Sequence, residues 1–181
     1  MNFKAIVRSN SPKTYRGGYK NVVLMTAYSD VLALAKPPNP APLIGDAYKI
    51  TDAHTFTDPK GWISWDSQTN GVTGTFQSVG DPGAQEDEYT YKVTILGDDE
   101  YLQDMRARVL NNHVIWLLKE ANCLDDDKYV QLGDECNAPE YKTEGDFKTV
   151  KDGLKSWTLS IITKAKYFYT GTVTMSTETE E

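Results

Sequence analysis

Few residues in this chain have the chemistry to form a site: two histidines, two cysteines, several neighbouring carboxylates and a pair of closely spaced tryptophans. Asp125, Asp126 and Asp127 set three carboxylates in a row, but the D-x-D-x-D-G spacing and the closing glutamate of a calcium loop are missing, which makes the run a solvated turn. Asp98/Asp99 and Asp134/Glu135 are sequence neighbours. A glycosidase needs two carboxyl groups facing each other across a cleft, so capping and turn roles account for these pairs. Cys123 and Cys136 lack a C-x-x-C spacing, and neither His54 nor His113 has a partner at ligand spacing, so no zinc site is expected. A hairpin would be able to bring the two cysteines together; with no secretory signal, two free thiols are the expected state. His113 opens an apolar run and reads as a histidine satisfied within the structure. A nucleophilic Cys123 would need a histidine beside it. The chain also has no G-x-S-x-G elbow, no phosphate loop and no dinucleotide fingerprint. Catalytic, cofactor and metal residues are therefore expected to be absent, and the chain reads as non-enzymatic.

Trp62 and Trp65 lie three apart, so on a strand they face opposite sides. One is expected in the core and the other at the surface or in an interface. An exposed indole there would stack on a sugar, as in β-sandwich carbohydrate-binding modules.

The elements that must position these residues are mostly strands. Asn21–Tyr28 is a short, β-branched apolar run, which Val31–Ala35 extends or pairs with. Lys36–Pro42 contains Pro37, Pro38, Pro40 and Pro42, and proline fixes φ and removes a backbone donor, so a stiff extended connection is expected. Ala47–Thr51 and Gly61–Ser67 read as short strands. Thr69-Asn70-Gly71 resembles a hairpin turn, with Val72–Val79 as the return strand. Gly80–Glu88, which carries Asp81, Glu86 and Asp87, is expected to be a mobile acidic loop. Tyr89, Tyr91, Val93 and Ile95 then alternate with Thr90, Lys92 and Thr94, the period of a half-buried strand.

Asp98–Asn112 is the one convincing helix. It opens on Asp98-Asp99-Glu100, where carboxylates cap free amides, and carries Leu102, Met105 and Val109 as an apolar stripe. His113–Leu118 is apolar on both faces and is expected as a central strand covered by that helix. Lys128–Leu132 and Ser156–Thr163 are further strands. Lys166–Met175 is expected to pair antiparallel with the latter, Tyr141–Gly153 to be loop, and Ser176–Glu181 to be a free tail. The fold class is mainly β, a β-sandwich or partial barrel with one packed helix, and a length of 181 residues suits one domain.

The formal net charge is −7, with 26 acidic against 19 basic residues, which disfavours a surface built to grip nucleic-acid phosphates. Met1–Arg8 has no apolar core of signal-peptide length, and an apolar run such as Val114–Leu118 is too short to span a bilayer. A soluble protein folded in a cytoplasm is expected.

The order of elements over Glu88–Val173 resembles phage tail-tube and related virion tail proteins. The residues carrying the likeness are the apolar strand Val114–Lys119, the Asn/Asp-rich turn after it, the short strand Tyr129–Gly133, and the strand Gly153–Ile161 after a glycine-bearing loop. The resemblance implies a virion structural protein that self-assembles into hexameric rings stacked as a tube and contacts other tail proteins. Genomic DNA would pass through without specific binding, with no cofactor and no membrane. An acidic lumen would repel phosphate. Under this reading Lys36–Pro42 and the long stretch Thr57–Glu88 are arms reaching adjacent rings, and Pro37, Pro38, Pro40, Trp62, Trp65, Asp81, Glu86 and Asp87 are interface residues. Lys92, Lys164 and Lys166 would blunt exposed strand edges. A tail terminator, head–tail connector or capsid decoration protein fits the same class. A carbohydrate- or ligand-binding β-sandwich is the rival from another class, and an unassigned hydrolase comes third.

Overall fold

The computed structural model describes residues 18–43, 45–121, 128–147 and 153–178. It is mainly β with one α-helix, in a β-sandwich-like arrangement. The strands are β1 (Tyr19–Ala27), β2 (Val31–Ala33), β3 (Lys49–Ile50), β4 (Thr55–Phe56), β5 (Ile63–Asp66), β6 (Val72–Val79), β7 (Glu86–Leu96), β8 (Val114–Glu120), β9 (Tyr129–Leu132), β10 (Glu140–Asp146), β11 (Ser156–Thr163) and β12 (Lys166–Tyr169). Helix α1 (Glu100–Asn111) joins β7 to β8.

Six strands form one sheet in the order β3-β12-β9-β8-β1-β5, four form a second in the order β10-β11-β7-β6, and β2 and β4 make a small ribbon. The middle of the six-stranded sheet is buried on both faces. Val114, Trp116 and Leu118 of β8 point into the cluster between the two large sheets, together with Val93, Trp157, Leu159 and Val109 of α1. Ile115 and Leu117 point the other way, into a second cluster with Leu24, Ile50, Trp62 and Tyr169. Ile115, Trp116, Leu117 and Leu118 are all fully buried. Each such aliphatic side chain contributes about 2 kcal/mol, which is why this run reads as apolar on both faces.

Helix α1 follows from its sequence. Asp99 is the N-cap, its side chain accepting from the Leu102 N–H at 2.8 Å. Leu102 and Met105 pack with buried Val109 against the inter-sheet cluster, as the stripe predicts.

Several connections differ from expectation. β2 pairs with β4, not β1. Asn70 has φ 60°, as the turn reading requires, but the turn does not close a β5–β6 hairpin; it passes the chain from one large sheet to the other, where β6 pairs with β7. Trp65 and Val72 flank this crossing and both enter the inter-sheet cluster, so burial on one side of the sandwich decides the path. β12 follows β11 directly, yet pairs with β9 and β3 in the other sheet. Within residues 141–153, expected as loop, residues 141–146 belong to edge strand β10, paired with β11 from Glu140↔Ile162 to Asp146↔Ser156. Of the expected free tail, residues 176–178 are held down. Ser176 N–H donates to the Trp62 carbonyl at 3.0 Å, Thr177 N–H to that of Pro59 at 3.1 Å, and Glu178 pairs with Lys60 at 2.7 Å. Gly61 allows this close approach, because a Cβ there would sit 2.7 Å from backbone atoms of Thr174, Met175 and Ser176. Residues 179–181, Cys123 and the Asp125–Asp127 turn lie outside the described residues.

Candidate functional site

The four-stranded sheet is built so that both ends stay open. β6 and β10 each hydrogen-bond to a single neighbour among the described residues, leaving their outer sides without a strand partner. Three antiparallel pairings in succession make the two edges run in opposite directions. The Thr94 N–H donates to the Gly71 carbonyl at 2.9 Å, which fixes the alternation: odd-numbered residues of β6 bond to β7, and even-numbered ones, Phe76 among them, direct N–H and C=O to the open side. Phe76 is 69% exposed. Gly74 of the same strand lies opposite Tyr91, where a Cβ would meet the buried tyrosine ring at 2.6 Å.

The sheet's two faces differ sharply. Val72, Val93, Leu159 and Thr143 share one cross-strand row, whose apolar members pack in the core. The next row, Thr73, Lys92, Ser160 and Lys142, is on the outward face, as is the row of Thr94, Thr158 and Glu144. Glu86, Glu88, Glu140, Glu144 and Asp146 share the outward parity against Lys92 and Lys142, so this hydroxyl-rich face carries more carboxylates than ammonium groups. Lys164, in the turn after β11, donates to Glu86 at 2.8 Å, and that bond holds the Glu86 carboxyl below its ordinary value.

The predicted interface residues do not form one patch. Trp62 and Trp65 do face opposite sides of the six-stranded sheet, but both are buried, Trp62 in one cluster and Trp65 in the other. Trp65 packs edge-to-face on Trp116 at 5.6 Å and on Trp157 at 5.9 Å, so neither indole is available to a sugar or a neighbouring subunit. The stretch Thr57–Glu88 is not an arm, because it contributes β5, β6 and the start of β7 to the sheets. Asp81 is in the exposed turn of the β6–β7 hairpin; Glu86 and Asp87 are already paired in β7, opposite Val79 and Ser78. Lys92, Lys164 and Lys166 are not edge residues: Lys92 is on interior β7, Lys164 is in a turn, and Lys166 is on interior β12, 4.9 Å from the Tyr89 ring centroid. The charges that blunt an edge are those of β10.

The proline segment also lies against the body. Residues 34–42 form a strap bordering a cleft of about 460 Å³ lined by Pro37, Pro38, Ile50, Gln131, Asp134 and Tyr167, while Pro40 is exposed on the strap. Lys36 forms an ion pair with Glu135 on the cleft's acidic turn, which raises the lysine above its ordinary value. Burial would push the Asp134 carboxyl up, but bonds from Tyr167 at 2.7 Å, from the Asn137 side chain and from the backbone N–H groups of Cys136 and Asn137 hold it below the usual range.

At the strap's base, the Ala35 N–H donates to His54 Nδ1 at 3.0 Å, and His54 Nε2 is 2.8 Å from Gln131 Oε1. Gln131 Nε2 donates to the Gly133 carbonyl at 3.2 Å, which leaves Oε1 as the acceptor and fixes His54 as the neutral Nε2–H tautomer. Sequence spacing missed this network, since Gln131 is far along the chain and a lone histidine carries no local signal. His113 differs from expectation: it stacks on Tyr28 at 4.7 Å, and its Nε2 is buried without a hydrogen-bond partner.

Among the described residues no group of three or more His, Cys, Asp or Glu is arranged to hold a metal, and Cys136 is an exposed free thiol. No described helix is long and apolar enough to cross a membrane. No protein-family model, curated protein or solved structure matches this chain.

Proposed function

We propose that this chain is a non-enzymatic, self-assembling structural subunit of a phage virion, and specifically a tail-tube protein whose copies close into rings that stack into a conduit for DNA. The observation that carries this reading is the four-stranded sheet with two long, oppositely directed open edges. Rotation about an axis along the strands sets β6 of one copy beside β10 of the next in antiparallel orientation, so the ladder continues through every subunit without a reversal. Closure removes the exposed edges that would otherwise template aggregation. The outward face, rich in threonine and carboxylate, then lines the lumen, where it offers water-compatible hydroxyls and repels phosphate. The sequence resemblance adds hexameric symmetry and other tail proteins as partners, with the assembled protein in the virion.

The test uses the full chain, with size-exclusion chromatography and negative-stain microscopy. Rings or tubes of uniform width are expected. Phe76→Pro removes a donor directed to the open side without breaking a bond of the β6–β7 ladder, and should leave a folded monomer that does not assemble. Phe76→Thr keeps the donor and should assemble. A wild-type chain that stays strictly monomeric at high concentration overturns the reading, and tubes formed by Phe76→Pro overturn the edge assignment. A second reading, a monomeric ligand-binding β-sandwich, rests on the strap cleft, whose volume is within the range of about 300–1,000 Å³ typical of small-molecule sites.

A further inference from the structure

We propose that His54 is an acid-operated latch for the strap: protonating its ring breaks the Ala35–His54 hydrogen bond and frees residues 34–42 from the cleft they border. The latch depends on which ring nitrogen is bare. Nδ1 accepts the Ala35 N–H, and Nε2 carries the only ring proton, directed to Gln131. A proton can add only at Nδ1, where it would face the Ala35 N–H donor to donor, so the bond at the strap's base is incompatible with the charged ring.

Among the described residues, the Gln131 bond is the one compensation the charged ring keeps. His54 is 3% exposed, stacks on Tyr169 at 4.7 Å, and has Trp62 at 5.8 Å. Of the side chains facing the ring, Gln131 from β9, Tyr169 from β12 and Trp62 from the approach to β5, only Tyr169 titrates, and its hydroxyl is already donating to the Thr172 carbonyl at 2.8 Å. Lys36, Asp134 and Glu135 are the charged groups lining the cleft that the strap borders. Burial lowers the His54 pKa below the ordinary histidine value and outweighs the Gln131 bond, which acts to raise it. The latch is therefore fully closed above the ordinary value of about 6.5 and is lost as pH falls through the lower folded value.

Once His54 lets go, the strap's remaining polar tie among the described residues is the exposed Lys36–Glu135 pair, which is weak in water. Opening would widen access to Ile50, Gln131 and Tyr167 while the two large sheets stay packed.

The experiment follows the His54 ring by NMR and amide exchange at Ala35 and Leu117 across pH 4–8, with exchange corrected for its intrinsic pH dependence. Protection at Ala35 should fall by about tenfold with the His54 midpoint, while Leu117 in β8 stays protected. His54→Gln should abolish the pH step at Ala35, whereas Glu135→Gln and His113→Gln should retain it. Three results would overturn the latch: a midpoint at or above the ordinary histidine value, Ala35 protection that does not follow the His54 titration, or Leu117 losing protection at the same pH, which would mark global unfolding. The wild-type measurements decide the matter even if His54→Gln fails to fold.

Discussion

Tyr141 links the edge strand β10 to the middle of the six-stranded sheet through one hydroxyl. Its Oη accepts from Trp116 Nε1 at 3.2 Å and donates to the Val114 carbonyl at 3.2 Å. Trp116 is fully buried, so Tyr141→Phe would leave its indole N–H without this acceptor, at a cost of about 1–3 kcal/mol. A fall in urea midpoint with an unchanged m-value would register that cost. The same hydroxyl gives the fold an alkaline limit. Burial pushes the Tyr141 pKa up to about 12, against the weaker opposing effect of the Trp116 and Val114 bonds. Above about pH 10 the unfolded chain sheds this proton while the folded chain retains it, so stability is complete below about 10 and declines as pH rises through about 12. Urea midpoints at pH 9 and pH 11 should differ less in Tyr141→Phe than in wild type. The slope should not vanish, because burial also raises Tyr19 and Tyr91. An unchanged slope would mean that Tyr141 is not the group responsible.

Helix α1 shows at the element scale what local sequence can specify. Its cap, stripe and length were legible because each depends on residues within a few positions of one another. Asp99→Ala should cost about 1 kcal/mol, while Asp99→Asn, which keeps an acceptor at the N-cap, should stay within a few tenths. Equal losses in urea denaturation would show that charge, and not the Leu102 N–H bond, carries the effect. β8 was legible for the same local reason, an apolar run that fits only a strand buried on both faces. β10 was not. Its inward positions are Tyr141, Thr143 and Gly145, so hydrophobicity barely alternates; the usable signal was Glu140, Lys142, Glu144 and Asp146 at every second position. Strand partners were equally hidden. Nothing local distinguishes β12 pairing with β11 from β12 pairing with β9, since that choice depends on Tyr169 reaching the second cluster. The His54–Gln131 contact joins residues 77 apart and leaves no spacing to read.

Across the whole molecule, ring closure and ring stacking belong to different parts of the proposed assembly. The open edges of β6 and β10 run along the two sides of the four-stranded sheet and, in that assembly, would serve lateral contact. The β6–β7 hairpin instead ends in the exposed turn Gly80–Gln85, which carries Asp81 and is the surviving part of the arm expected from sequence. Val79 pairs with Glu86, so the two strands remain in register up to the turn. Replacing residues 80–85 with Asn-Gly, a two-residue loop of the twist that antiparallel strands favour, should close the hairpin and leave every described strand intact. Glu86 would remain bonded to Lys164. If the tip bridges successive rings, the variant should give single rings of normal diameter that do not extend into tubes, together with a urea midpoint close to wild type. Full-length tubes from the shortened hairpin would remove the tip from the stacking contact. Loss of rings as well would place the tip in lateral closure, and the separation between edge and arm would then fail.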